Sequence, residues 1–186
     1  MHTDLNILIR GCQQRNLQSQ HQLYKLCYPD MIKVCFRYAH DADGAGTIYN
    51  DAMLKVFRHI GSYTEEGKLM GWIKTIVVHT AIDFCKKKNI FSQSVPYFTE
   101  TDEGLRPEAF DRISGKEIQQ LIGQLPEATG TVFNMYVYDG FTHKQIGELL
   151  SISDGTSKWH VSEAKKMLKK KLERMTKNEF QANAAG

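Results

Sequence analysis

The sequence has little of what marks a membrane or secreted protein. Its apolar runs fall far short of the roughly 20 residues that span a bilayer. Residues 1–10 lack the apolar core and the small-residue cleavage site of a secretory signal. The 41% hydrophobic content still supports a folded core, and 186 residues suffice for one ordinary domain or two small ones. We therefore expect a soluble, cytoplasmic protein with no direct insertion into a membrane.

Cysteine is also sparse, and its spacing fits no metal-binding or redox motif. The four cysteines form no C-x-x-C pair, and no paired histidines accompany them at zinc spacing. They lie among apolar or helix-forming neighbours, which predicts buried or half-buried thiols at Cys12, Cys27, Cys35 and Cys85. A metal or redox role is the alternative. The sequence thus predicts no metal site and no cofactor.

An excess of charge of one sign is nearly absent, because the formal net charge is only +3. The lysines are nevertheless concentrated in two runs, residues 86–88 and residues 165–171. Each run closes a predicted helix, so the simplest interpretation is a solvated face that suits the dipole of a helix C-terminus. Two such patches on separate modules indicate a polyanionic partner as the second interpretation.

Hydrophobic residues recur with helical spacing nearly throughout, and no segment alternates convincingly as a strand does. Residues 1–88 are predicted to form a first helical module, whose second helix stops before Pro29. The second and third helices are expected to bury Leu23, Leu26, Cys27, Met31, Ile32, Cys35, Phe36 and Ala39. The fourth runs from about residue 45 to residue 60. A polar loop over 61–71 then leads to a last helix that ends in the first lysine run.

Residues 89–115 interrupt this periodicity and contain Pro96 and Pro107, which predicts a linker. Helical spacing resumes in residues 116–177, with a break at Pro126. Residues 178–186 form a tail, of which residues 183–186 are expected to be unstructured. The predicted fold class is therefore all-α, with two small helical domains joined by a flexible linker.

Residues 142–172 have the pattern of a helix-turn-helix. Gly140 ends the preceding helix, and Thr142 forms a capping box for the next with Gln145. A short turn ends in Ser153, the cap of a second helix, whose inner stripe is Val161, Ala164, Leu168 and Leu172. The opposite face carries lysines and polar side chains, which suits a helix in the major groove of DNA. An ordinary helical hairpin is the alternative.

Two segments carry a resemblance to a known family. Residues 140–150 read GFTHKQIGELL and continue as ISDGTSK at 152–158. This segment resembles region four of the extracytoplasmic-function sigma factors of the sigma-70 family, whose pattern is E-G-x-S-x-x-E-I-A-x-x-L-G-I-S-E-G-T-V-K. Residues 48–57 resemble the core-binding helix D-L-V-Q-E-x-F-L-K-V-F of region two, and residues 72–83 resemble its W-L-x-x-I-x-x-N-x-x-x-D helix. The two matches occur in the right order with a linker between them.

The resemblance implies an alternative sigma factor that binds core RNA polymerase and directs promoter-specific transcription initiation. Region two would dock on the clamp of the largest polymerase subunit and melt promoter DNA near the start site, and region four would read a more distant element as duplex. The family also implies an anti-sigma factor as a partner. The residues expected to contact polymerase are Thr47, Ile48, Asn50, Asp51 and Leu54. Those expected to contact DNA are Tyr63, Lys74, His79, Lys86, Lys87 and Lys88 in region two, and Lys158, Trp159, His160, Ser162, Glu163, Lys165 and Lys166 in region four.

The sequence departs from the family pattern in both helices that meet a partner. Where the docking helix usually has Ala-Glu-Asp, this chain has Ala45, Gly46 and Thr47, which removes a charged contact with polymerase. The alternative function is therefore a sigma-like helix-turn-helix regulator without productive polymerase docking. In the recognition helix Glu163 stands where an arginine is common, and a glutamate there can accept a hydrogen bond from cytosine.

An enzyme is the third class, and the sequence argues against it. The candidate cluster, His40, Asp41 and Asp43, is crowded into one turn and lacks a separated nucleophile, base and orienting group. Such residues are ordinary in an exposed turn. We expect no catalysis and no small-molecule substrate.

Overall fold

The computed structural model describes residues 5–64, 69–88, 90–91 and 115–184. For residues 115–116 and 176–184 it describes the backbone alone. Helices account for nearly all of these residues, and no strand occurs among them, so the predicted all-α fold is confirmed. The helices are α1 (Leu5–Gln13), α2 (Leu17–Ala39), α3 (Ala42–His59), α4 (Leu69–Lys87), α5 (Gly115–Ile122), α6 (Glu127–Val137), α7 (His143–Leu150) and α8 (Asp154–Ala184). In this part of the chain no helix is long and apolar enough to cross a membrane.

The chain divides into two compact units, Met1–Lys88 and Asn89–Gly186. The predicted linker falls largely on residues 92–114, which lie outside the described residues, so its extent stays a prediction. Of the predicted tail, residues 178–184 continue α8 as helix. Each unit has its own apolar interior, as a helical domain of this size needs. The units are therefore described separately.

In the first unit α3 packs against both α2 and α4, and α1 packs against α2. The fully buried side chains come from all three long helices and include Leu23, Ile48, Tyr49, Ile73 and Val77. A Cβ at Gly11 would collide with the side chain of Ser19, so the glycine allows α1 and α2 to approach closely. The four cysteines all lie in this interior as buried thiols that form no disulfide. Burial raises the pKa of Cys27 to about 11 and that of Cys35 to about 12, which keeps both thiols protonated at neutral pH.

The predicted break at Pro29 is wrong, because α2 runs without interruption from Leu17 to Ala39. A proline inside a helix removes one backbone hydrogen bond and costs about 3 kcal/mol. Both Pro29 and Lys25, whose carbonyl loses its N–H partner, lie on the exposed side of the helix, where water can replace the lost bond. Because α2 continues through Pro29, the same side of the helix faces the interior along its whole length. Leu26 and Phe36 lie on the outer side and are 52% and 45% exposed, although they were predicted to be buried.

The chain between α3 and α4 is shorter than the predicted loop over 61–71. Residues 60–62 form a single turn of 3-10 helix, and α4 already begins at Leu69. Residues 65–68 lie outside the described residues.

In the second unit α8 packs against α5, α6 and α7. One interior cluster joins Leu121, Ile122 and Leu125 from the α5 region, Phe133 from α6, and Ala164, Leu168 and Leu172 from α8. Pro126 precedes the first residue of α6, a position at which its missing N–H and fixed φ are tolerated. Residues 165–171 lie in the middle of α8 and not at its end, so the predicted match between this lysine run and a helix C-terminal dipole is wrong.

The turns that bound α7 follow the sequence pattern closely. Gly140 has a φ of 74°, and the side chains of Thr142 and Gln145 form both hydrogen bonds of a capping box. Ser151 ends α7 in the left-handed conformation, and the Ser153 hydroxyl accepts a hydrogen bond of 2.9 Å from the backbone N–H of Thr156. These local bonds set the angle between α7 and α8.

The tightest point of this turn is Gly147. The backbone N–H of Ile152 donates to the Gly147 carbonyl at 3.1 Å. A Cβ at Gly147 would lie 2.8 Å from the carbonyl oxygen of Ile152, which is closer than such atoms approach. We therefore expect Gly147→Ala to push α7 away from the turn and to destabilise the second unit by about 1–3 kcal/mol.

The matched control is Gly155→Ala, because a Cβ at Gly155 would meet only the Ser153 hydroxyl, at an ordinary 3.6 Å. Thermal unfolding of both full-length variants, followed by circular dichroism, measures the difference. Equal unfolding midpoints for the two variants would show that the turn accommodates a side chain at Gly147.

Candidate nucleic-acid and polymerase interfaces

The burial of one stripe of α8 determines which side chains face outward. Val161, Ala164 and Leu168 are all buried, at consecutive turns of the helix. Because side chains three and four positions apart share a face, Trp159, Glu163 and Lys166 lie on the side opposite this stripe, and Lys158, Ser162, Lys165 and Lys169 lie on one flank of it. Of these side chains Lys158, Lys166 and Lys169 are exposed, and Trp159, Ser162, Glu163 and Lys165 are half-buried. This set is the recognition face.

The recognition face combines the two kinds of group that duplex DNA requires. Its lysines can neutralise phosphates, and Ser162 and Glu163 can form hydrogen bonds with base edges in the major groove. Lys158 to Glu163 occupy the N-terminal third of α8, which is the part of a recognition helix that meets base edges.

His160 is the predicted DNA contact that the structure places elsewhere. Its side chain is only 6% exposed, and its Nδ1 lies 3.0 Å from the Thr129 hydroxyl on α6. Burial lowers the pKa of His160 from its ordinary 6.5 to about 4, so the ring is neutral at physiological pH. A neutral ring held against α6 cannot pair with a phosphate, and His160 is therefore excluded from the recognition face.

A second histidine, which the sequence pattern did not single out, joins α7 to α8. The Nδ1 atom of His143 lies 3.0 Å from the Ser157 hydroxyl, and its ring stacks on Tyr136 with centroids 4.5 Å apart. The contact brings the first turn of α7 beside the first turns of α8. The helix caps Thr142 and Ser153 lie within four residues of these two side chains, and they are the sequence signal from which the contact could have been inferred.

In the first unit the predicted DNA contacts lie along α4 and before it. Lys86, Lys87 and Lys88 are exposed at the end of α4, and the Lys88 ammonium lies 5.1 Å from the centroid of the Phe84 ring. Along the same helix His79 is exposed and Lys74 is half-buried.

Tyr63 is held by an aromatic neighbour. Its ring centroid lies 5.3 Å from that of Trp72 at an interplanar angle of 46°, and the side chain is half-buried. This contact anchors the tyrosine to α4. Because the side chain is only half-buried, part of the ring remains accessible for stacking.

The predicted polymerase contacts do not all lie on the same side of α3, because four are exposed and one is buried. Thr47, Asn50 and Asp51 are exposed, and Leu54 is 60% exposed although it is apolar. The Asn50 side-chain oxygen accepts a hydrogen bond of 2.8 Å from the Tyr24 hydroxyl on α2. Ile48, by contrast, is completely buried. Its inclusion among surface contacts is wrong, because it belongs to the interior stripe of α3.

Beside the exposed stripe of α3 lies a groove shared with α4, with a volume of about 420 Å³. Asp51, Leu54 and Arg58 line its α3 side, and Asp83 and Lys87 its α4 side. The Lys55 ammonium and the Asp83 carboxylate form a salt bridge of 3.1 Å across the two helices. The exposed stripe of α3 consists of Thr47, Asn50, Asp51 and Leu54, and it is bounded by α2 on one side and this groove on the other. We refer to this stripe as the docking face, after the polymerase contacts predicted for it.

The turn that suggested an enzyme has a structural role. The Asp41 carboxylate accepts a hydrogen bond of 2.6 Å from the backbone N–H of Gly44 and caps α3, and His40 ends α2 in the left-handed conformation. Within the described part of the chain, no three histidine, cysteine or acidic side chains are grouped so that they could hold a metal ion.

Comparison with known protein families accounts for both units. The family model described as sigma-70 region 2 matches residues 23–90, and the model described as sigma-70, region 4 matches residues 115–168. The chain belongs to the sigma-70 family. The first match covers α2 from Leu23 onward, α3 with the docking face, and α4, and the second covers α5 to α7 and the first half of α8.

Several curated sigma factors are similar along most of their length. The ECF RNA polymerase sigma factor SigW of Bacillus subtilis is 27% identical over 166 residues, which cover 78% of this chain and 84% of SigW. The ECF RNA polymerase sigma factor SigK of a Mycobacterium species (strain KMS) is 25% identical over 162 residues, 84% of each chain. RNA polymerase sigma-H factor of Pseudomonas aeruginosa is 21% identical over 156 residues, 77% of this chain and 80% of that factor.

The chain is thus an alternative sigma factor that directs transcription initiation, and the regulator without polymerase docking is not favoured. Sigma factors are regulatory, non-catalytic proteins.

The buried His160 predicts a pH-dependent stability of the second unit. Because the pKa of His160 is lowered to about 4 in the folded protein and is near 6.5 when unfolded, the unfolded chain binds more protons between these values. Above pH 6.5 His160 is neutral in both the folded and the unfolded chain, and the free energy of unfolding of the second unit carries no penalty from this residue. As the pH falls from 6.5 towards 4, this free energy decreases by at most about 1.4 kcal/mol per pH unit.

Urea unfolding of the full chain at several pH values between 7 and 5 measures this loss, with His160→Gln as the variant that cannot titrate. We expect the wild type to lose more stability than His160→Gln over this range. Parallel curves for the two proteins would mean that His160 is not the group responsible.

Proposed function

We propose that this sigma factor reads a duplex promoter element with the recognition face of α8 and docks on core RNA polymerase with the docking face of α3. The observation that carries the proposal is the register of α8, in which a buried apolar stripe leaves Lys158, Trp159, Glu163 and Lys166 together on the outer side. A helix held in this way against α7 can enter the major groove without exposing its apolar side.

In the second unit, base contacts come from the first turns of α8. Glu163 accepts a hydrogen bond from the amino group of a cytosine, and Ser162 contacts either a donor or an acceptor on the neighbouring base. The ring of the half-buried Trp159 makes a T-shaped contact with the ring of His160, at a centroid distance of 4.9 Å. Its accessible part contacts an apolar group such as a thymine methyl. The lysines bind the flanking phosphates and set the affinity rather than the sequence preference.

In the first unit, DNA contacts come from α4. Lys86, Lys87 and Lys88, together with Lys74 and His79, bind the backbone of the promoter near the start site. Tyr63, already positioned by Trp72, stacks on a base extruded from the duplex. Extrusion costs a few kcal/mol, about what one stacked base and its pocket contacts return.

The docking face binds the clamp of the largest polymerase subunit. The contacts come from Thr47, Asn50, Asp51 and Leu54. Ile48 supports this face from the interior. The protein acts in the cytoplasm, has no catalytic activity of its own, and is restrained by an anti-sigma factor.

The lysines of the recognition face are expected to act on DNA of any sequence. Replacing Lys158, Lys166 and Lys169 with alanine should lower the affinity for duplex DNA and reduce the slope of log K against log salt concentration by about 0.9 for each phosphate that is no longer neutralised. Titration of a labelled duplex at several salt concentrations measures the slope. The control is Lys25→Ala combined with Lys33→Ala, two exposed lysines of α2 that lie in the first unit.

Glu163→Gln provides the contrast, because it should change which sequences are selected from a random duplex library while the salt slope changes little. If the lysine variant and the glutamine variant both merely weakened binding to every sequence, the recognition face would be misplaced.

Run-off transcription tests the proposal as a whole. Core RNA polymerase is mixed with a pool of genomic promoter fragments, with and without the full-length protein, and discrete transcripts that depend on the protein are expected. Their upstream sequences then give the promoter. No transcripts from an active polymerase, despite retained duplex binding, would contradict polymerase docking through α3.

A further inference from the structure

A hydrogen bond between α6 and α8 lies behind the recognition face. The Thr129 hydroxyl and Nδ1 of His160 are 3.0 Å apart, and the two side chains are only 4% and 6% exposed. At this burial neither side chain can reach a base or a phosphate. Because a ring nitrogen forms its hydrogen bond in the plane of the ring, the bond fixes the orientation of the His160 ring against α6.

The His160 ring in turn supports Trp159. The two residues are consecutive on α8, so their side chains leave the helix about 100° apart, with Trp159 on the outer side and His160 on the inner side. Their rings nevertheless meet, with centroids 4.9 Å apart and an interplanar angle of 72°. This edge-to-face arrangement is one that aromatic rings prefer. The indole thus leans on a ring that is itself held from another helix.

A supported indole is better suited to read a base pair than a free one. A large side chain on an open helix face occupies several rotamers, and fixing one of them on binding costs conformational free energy. Contact with the His160 ring restricts Trp159 before DNA arrives. The accessible part of the indole then meets the same base pair in each complex. The preference at that base pair therefore depends on a bond that DNA does not touch.

We propose that Thr129 and His160 are positioning residues for promoter recognition, and that the hydrogen bond between them holds Trp159 in the orientation that selects one base pair. This inference rests on the proposed reading of duplex DNA by the recognition face. Without the Thr129 hydroxyl, Nδ1 of His160 loses this partner in a buried site, which favours a turn of the ring towards water. Trp159 then loses its support, whereas the lysines that bind phosphates are unchanged.

The test compares Thr129→Val, which has nearly the same shape but no hydroxyl, with Thr129→Ser, which keeps the hydroxyl. The probes are the duplex that the full-length wild type selects from a random library and copies of it changed at single base pairs. Trp159→Ala identifies the base pair that Trp159 reads, as the position at which discrimination falls. At that position Thr129→Val is expected to lose discrimination on the order of tenfold, and Thr129→Ser to discriminate as the wild type does.

The base pair read by Glu163 is the matched control, and Glu163→Gln identifies it in the same way. Thr129→Val should leave discrimination at this second position unchanged. In the double variant with Trp159→Ala the two losses should not add, so the affinity for the selected duplex falls about tenfold rather than about a hundredfold. Additive losses, or an equal loss of affinity for every duplex, would indicate a purely structural role and overturn the inference, as would a Thr129→Ser variant that behaves like Thr129→Val.

Trp159→Ala also separates the failure of this inference from the failure of the proposed base contact. If it changes discrimination at no position, the base contact of Trp159 is wrong, and the inference fails with it. If it lowers discrimination while Thr129→Val binds as the wild type does, the positioning role is wrong and the recognition face stands. Thermal unfolding shows whether each variant is folded. If Thr129→Val does not fold, His160→Leu takes its place, since leucine occupies the site without an aromatic edge. The same loss is expected, and unchanged discrimination overturns the inference.

Discussion

The register of each helix against its neighbours is the constraint on which both interfaces depend. An α-helix that buries one apolar stripe has no freedom to choose what its opposite side presents, because side chains three and four positions apart share a face. In α8 the burial of Val161, Ala164 and Leu168 turns Trp159 and Glu163 to the outside. A rotation that buried Trp159 would expose the stripe and lose several kcal/mol of apolar burial, at about 25 cal/mol per Å². The composition of the recognition face is therefore a consequence of core packing.

The same constraint acts on α3, with a different result. Because α3 is packed on both sides, by α2 and by α4, its exposed stripe is narrow and its edges are shared with neighbours. On one edge Asn50 bonds Tyr24, and on the other Lys55 pairs with Asp83. A partner that meets this stripe must also meet side chains of the flanking helices. The proposed docking on polymerase and the proposed promoter contacts of α4 thus draw on one packed three-helix body.

Local chemistry made much of this predictable from the sequence, and tertiary packing explains what was not. The capping box of Thr142 and the inner stripe of α8 follow from patterns only a few residues long, and both are present. Pro29 was misleading because its local cost is offset by the packing of a long helix, which no local pattern records. His160 lies four positions before the buried Ala164 and shares its face, and the motif that suggested a DNA contact did not record this register. Its polar partner, Thr129, is distant in sequence. Ile48 shows the same error in α3, where a motif names neighbouring residues without regard to the side of the helix they occupy.

The position of the second lysine run is itself informative about function. Lysines at the end of a helix are stabilised by its dipole, as Lys86 and Lys87 are in the last turn of α4. Lys166, Lys169 and Lys170 lie in the middle of α8, where the dipole offers nothing, and they are three and four positions apart on one exposed side. Like charges at this spacing destabilise a helix by about 0.2–0.5 kcal/mol per pair. In the proposed complex with DNA, phosphates neutralise these lysines and remove the repulsion, so the charge that disfavours the free helix favours the proposed complex.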